Sequence, residues 1–188
     1  MNLREASGRL RRLPFRALRA MVRSLPGGRL EAFGASTDKI GGILVINLDR
    51  QPARWRRIQR ELARLRTYEG VPLTSITTRL AAIDARDGRA VAATADVDPH
   101  YRLGDQLYVQ PDERLQACFG SDTPVCMTRQ EVAVARSHIE AWKQIAMGVH
   151  DHVLILEDDI WFRKGAAAAI DRGWRAARAR SGTTGGPH

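Results

Sequence analysis

His152-Val153-Leu154-Ile155-Leu156-Glu157-Asp158-Asp159 is an apolar run that stops on three consecutive carboxylates. A short apolar stretch bounded by polar residues reads as a buried strand. In open α/β sheets ligands gather beyond the carboxyl ends of such strands. Crowded carboxylates repel and raise one another's pKa unless a cation or proton intervenes, and hard divalent ions take oxygen ligands of this type. Glu157, Asp158 and Asp159 are therefore read as a metal site facing a phosphate-bearing substrate, against the plainer alternative of a solvated acidic loop.

Working back from that strand, Arg129 to Met147 is the clearest helix. With Glu131 at zero and 100° per residue, Ala135, His138, Ile139, Trp142 and Ile145 fall within about −40° to +80°, which predicts one buried stripe. His138 shares that stripe and is a candidate for site chemistry, with a satisfied core histidine as the alternative. Further upstream, Ile43-Leu44-Val45-Ile46-Asn47-Leu48 is a β-rich apolar run predicting the first central strand. Pro52 suits the first turn of a helix. Trp55, Ile58, Leu62 and Leu65 follow at the spacing of its buried stripe, and the arginines between them read as solvated charges. Thr77 to Asp84 predicts a second strand, closed by Asp87-Gly88. Residues 89–128 lose periodicity, as substrate loops often do. Lys164 to Arg180 predicts a final helix, and 181–188 a disordered tail.

Charge is unevenly placed. Residues 1–30 hold eight arginines and a single acid, Glu5, out of a formal net charge of +9 for 188 residues. Between Pro14 and Pro26 apolar residues recur at helical spacing among these arginines, the pattern of a basic amphipathic surface helix. Residues 10–25 are thus a candidate for peripheral contact with anionic lipid, with a solvated arm as the alternative. No stretch approaches the ~20 apolar residues a membrane span needs, so the expectation is a cytoplasmic protein, peripheral on the inner membrane at most. The arm lacks interleaved aromatics beyond Phe15, which argues against nucleic acid. Cys118 and Cys126 show no zinc-ligand spacing and read as free thiols, with a loop-closing disulfide as the alternative in an exported protein.

No phosphate-cradling glycine loop and no nucleophile elbow occurs. Phospho-acceptor receiver domains also begin with an apolar strand ending in Glu-Asp-Asp, but they need further strands that the residues after Asp159 do not supply.

Four blocks in order carry a resemblance: Val45-Ile46-Asn47-Leu48-Asp49-Arg50 with Arg54-Trp55; Arg79-Leu80-Ala81-Ala82-Ile83-Asp84; Glu131 through Ser137-His138 to Trp142-Lys143-Gln144-Ile145; and Leu154-Ile155-Leu156-Glu157-Asp158-Asp159. Together they resemble glycosyltransferase family 25, the bacterial lipopolysaccharide and lipooligosaccharide biosynthesis family. The resemblance implies an α/β fold, a GT-A-like Rossmann-type mixed sheet flanked by helices. It also implies a transferase moving a sugar, with galactose from UDP-galactose expected, to a glycolipid or oligosaccharide acceptor. By that likeness Glu157, Asp158 and Asp159 match the motif holding Mn²⁺ or Mg²⁺, and Asn47, Asp49, Arg50, Arg79 and Asp84 match the donor-binding end. Ser137 and His138 match a recurrent pair without assigned roles. Ala133-Val134 stands where the family usually has Gly-Cys. The expected organisation is an arm and linker over 1–40, a nucleotide-sugar-binding domain over 41–180 and the tail, with the domain incomplete at its C-terminus. The rival expectations are a catalytically inactive donor-binding fragment and a basic membrane-surface or nucleic-acid-binding protein.

Overall fold

The computed structural model describes residues 28–88, 96–105 and 118–183. Among these the chain is mixed α/β, with three α-helices and three small sheets. The basic segment 10–25 lies outside the described residues. The chain divides into two compact units. One comprises residues up to 45, 53–78 and 150 onward, and the other comprises 46–52 and 79–149.

The first unit carries an apolar core. Strand β2 (Gly42–Asn47) is buried along its whole length, as its β-branched run predicts. Its Ile43 and Val45 pack with Leu30, Phe33, Ile40, Ile58, Leu62, Leu65 and Leu73. Helix α1 (Pro52–Leu62) buries Ile58, Glu61 and Leu62. The predicted stripe ran on to Leu65, but the helix ends at Leu62 and Leu65 opens strand β3 (Leu65–Thr67). That strand pairs in parallel with β1 (Gly28–Leu30), register Gly28↔Leu65. The expected linker up to residue 40 is therefore part of the folded body. Leu30, Ala32, Phe33 and Ile40 are all nearly inaccessible, and their short, polar-interrupted pattern is too brief to show a period in sequence. Asp171 on helix α3 (Ala166–Thr183) secures this segment by accepting the Ala32 N–H at 2.9 Å. The same helix runs three residues into the expected tail.

Strand β4 (Thr77–Ala81), β2 and β7 (Val153–Glu157) form one three-stranded sheet with β2 in the middle. Because β7 lies at an edge, Val153 to Leu156 are half-buried and not fully enclosed as the apolar run suggests. Gly41, just before β2, donates its N–H to the His152 carbonyl, 3.0 Å away. A Cβ there would stand 2.4 Å from the His150 Nδ1, so a larger residue would require the exposed His150 ring to move.

The second unit contains β5 (His100–Arg102) and β6 (Pro124–Cys126), paired antiparallel with Tyr101 opposite Val125. Both cysteines are free and exposed. Its helix α2 (Arg129–Ala146) starts on a capping box in which Thr128 and Glu131 satisfy each other's backbone N–H groups. The predicted inward face is corrected here. Val132, Ala133, Ser137 and Ala141 are buried, while Glu131 is spent on the cap and Trp142 is 59% exposed. A small-residue stripe lets the neighbouring backbone approach closely, and hydrophobicity alone does not reveal such a stripe.

Candidate active site

The end of β2, Arg79 on β4 and the turn after β4 carry the polar residues of the second unit. Asn47 closes an otherwise apolar strand and is 1% exposed. Its amide Nδ2 donates to the Gln51 carbonyl at 3.2 Å, fastening the turn that also carries the Gln51 N–H to Leu48 O bond. Its Oδ1 accepts Arg79 Nε at 2.8 Å. Arg79 reaches on with Nη2 to the Asn47 carbonyl and to the Asp49 carboxylate. A planar fork of this kind fixes direction as well as charge.

Arg50 donates from Nε to Asp84 Oδ2, and Asp84 Oδ1 accepts the Arg86 N–H at 3.0 Å. The Arg50 hydrogen bond, followed by that of the Arg86 backbone, holds the Asp84 carboxyl below its usual range. The five residues expected at the donor end stand in two hydrogen-bonded groups: Asn47, Asp49 and Arg79 in one, Arg50 and Asp84 in the other.

Ser137 now has a structural assignment. Its hydroxyl donates to Ala133 O at 2.7 Å and accepts the Ile83 N–H at 3.0 Å. Helix α2 thereby holds the residue directly before Asp84. His138 is half-buried, its ring tilted 54° to that of Trp142 with centroids 6.5 Å apart.

The acidic turn after β7 belongs to the first unit. Its three acids do not behave alike: Glu157 and Asp159 are exposed, and Asp158 is buried. Asp158 Oδ1 accepts Arg54 Nη1 at 3.2 Å, and its carbonyl accepts Arg57 Nη2 at 2.9 Å. The Arg57 guanidinium lies 4.6 Å from the Trp161 ring centroid, in cation–π range. Among the described residues its buried Nε finds no partner. No group of three His, Cys, Asp or Glu side chains converges as a metal cluster among the described residues.

Arg54, Arg57 and Trp161 were read from sequence as solvated or unassigned. A usable signal was present, because the first turn of α1 contains Arg54 and no acid, the reverse of what a helix dipole favours.

Among the described residues no helix is long and apolar enough to cross a membrane. No curated protein and no solved structure matches the chain. Compared with protein families, residues 41–174 match Glycosyltransferase family 25 (LPS biosynthesis protein). The matched span holds the Asn47–Arg79 cluster, the capped helix with Ser137 and His138, and the acidic turn, and the chain belongs to that family of lipopolysaccharide-biosynthesis glycosyltransferases.

Proposed function

We propose that this chain transfers a sugar, galactose from UDP-galactose, to a glycolipid or oligosaccharide acceptor of the cell envelope, on a GT-A-like framework. The observation that carries the reading is the buried Asn47, which ties Arg79, Asp49 and the 48–51 turn into one rigid edge inside the family-matched span. Exposed ion pairs contribute little to stability, so the value of such an edge is positional. It presents fixed polar groups to the nucleoside part of a donor.

The acidic turn fits Mn²⁺ or Mg²⁺ in a narrowed form. Asp158 is buried and accepts from Arg54, whereas Glu157 and Asp159 face solvent. Ions of this class are commonly held by one or two carboxylates, with the rest of the shell drawn from substrate phosphate and water. Bound there, a divalent ion supplies Lewis-acid neutralisation of the leaving diphosphate. The acceptor hydroxyl oxygen attacks the anomeric carbon as the bond from that carbon to the diphosphate oxygen breaks. The electron pair departs with the nucleoside diphosphate, and the hydroxyl proton passes to a general base, for which His138 has suitable chemistry. Work at the cytoplasmic membrane face follows from a lipid-linked acceptor and from the basic segment 10–25.

The test is release of UDP from UDP-galactose by the purified chain with and without Mn²⁺, on wild type, Glu157→Gln and Asp159→Asn. Metal-stimulated release lost in both variants is expected. Absence of donor binding by wild type, with metal supplied, refutes the reading. Binding without release assigns the chain to the inactive donor-binding class.

A further inference from the structure

Arg54 sits where helix stability alone would not place it. A cation in the first turn is opposed by the helix dipole, and that turn contains no acid to offset it. Its guanidinium is nevertheless fixed. Asp158 accepts Nη1 at 3.2 Å, with the carboxylate side chain 9% exposed and the arginine side chain 45% exposed. A buried acid thus holds one corner of a guanidinium that carries five N–H donors, on a side chain that stays partly exposed.

One turn along α1, Arg57 grips the carbonyl of the same Asp158 at 2.9 Å and stacks on Trp161. The turn bearing the acids is clamped from the helix by two arginines. A half-exposed ion pair stabilises a fold little. Holding a planar guanidinium ready for two oxygens of a phosphate group gives this arrangement a use, because arginine recognises phosphate through paired donors.

We propose that Arg54 is a ligand of the donor's diphosphate and that Asp158 is the positioning residue that aims it, not a ligand of the metal. The inference rests on the nucleotide-sugar reading above and adds to it the group that grips the phosphates.

Calorimetric titration with UDP in Mg²⁺, and with Mn²⁺ alone, on wild type, Arg54→Met, Arg54→Lys, Asp158→Asn and the Arg54→Met/Asp158→Asn double variant tests it. Arg54→Met is expected to weaken UDP binding about 10- to 100-fold, the range for one charge-assisted contact. Arg54→Lys is expected to weaken it less, since an ammonium keeps the charge and loses the fork. Asp158→Asn is expected to weaken UDP binding in wild type and to add little to Arg54→Met, because both act through one group. Binding of Mn²⁺ alone stays at the wild-type level throughout.

Wild-type UDP affinity in Arg54→Met overturns the proposal. So does full additivity in the double variant, or loss of Mn²⁺ binding in Asp158→Asn that Arg54→Met does not share. Should Arg54→Met fail to fold, Arg54→Lys decides: several-fold weaker UDP binding supports the proposal and unchanged binding overturns it. A wild type that binds no UDP defeats the underlying nucleotide-sugar reading instead, which separates the two failures.

Discussion

Replacing Ser137 with alanine isolates the link between helix α2 and the polar cluster. Ser137 is 2% exposed, and its oxygen is the acceptor for the Ile83 N–H at 3.0 Å. Removing it strands that donor, at a cost of ~1–3 kcal/mol. The hydroxyl's own donation to Ala133 O is lost without harm, since a serine bonding back to the carbonyl four residues earlier slightly weakens a helix. Alanine's better helix propensity returns about 0.5 kcal/mol. A net destabilisation of about 1–2 kcal/mol is expected, or about 3–6 °C in Tm for a chain of this size. Hydrogen exchange gives the local readout: the Ile83 amide should lose protection while the amides inside α2 keep theirs. Because Ile83 precedes the Asp84 that pairs with Arg50, UDP affinity should fall as well. An Ser137→Ala variant as stable as wild type, with the Ile83 amide equally protected, refutes the assignment.

Arg79→Lys should cost ~1–3 kcal/mol in urea denaturation, because it leaves the buried Asn47 Oδ1 without the Nε donor now 2.8 Å away; unchanged stability would show that the amide finds another partner. Thr128→Ala should cost about 1 kcal/mol by removing the cap of α2, read as a lowered urea midpoint, and an unmoved midpoint would count against the cap's importance. The Glu131 carboxyl is held below its usual value, first by the Thr128 backbone N–H and then by its hydroxyl. Its contribution is therefore present above the ordinary glutamate value and is lost as pH falls through the lower folded value; Glu131→Gln should flatten that part of the stability–pH curve, and a curve of unchanged shape would contradict the sign. Asp84 is depressed chiefly by Arg50, so its contribution likewise fades on acidification, and Asp84→Asn should remove that acid-side dependence in pH titration of thermal stability.

Elements with a strong period of their own were legible in the sequence. The run 43–48 gave β2 because four adjacent aliphatic residues fit a strand enclosed on both faces. The Thr128/Glu131 spacing, which went unread, marks the start of α2 at the level of sequence. The inward face of that helix was illegible for a definable reason. Hydrophobic weight put Trp142 inside, whereas the buried positions are alanine, valine and serine, chosen by how closely the adjoining chain approaches and not by apolar area. The segment 28–40 was illegible for a similar reason: three-residue strands such as β1 owe their existence to a partner, here β3, whose Leu65 pairs with Gly28 across a sequence distance that local pattern does not span.

The site follows the same division. Residue types that announce chemistry by themselves, such as three adjacent acids after an apolar strand, were found. How those acids are shared out was not, because it depends on what α1 presents to them. An arginine on a helix reads as solvated by default, and only the geometry at Asp158 distinguishes Arg54 and Arg57 from Arg56 or Arg60 on the same helix. Arg54 is nonetheless marked in the sequence itself, since a cation in the first turn is a local cost with no local return. Such departures from local rule concentrate at functional sites. In this chain the departure leads from a helix start to a buried carboxylate and, through it, to the one acidic turn the sequence had already singled out.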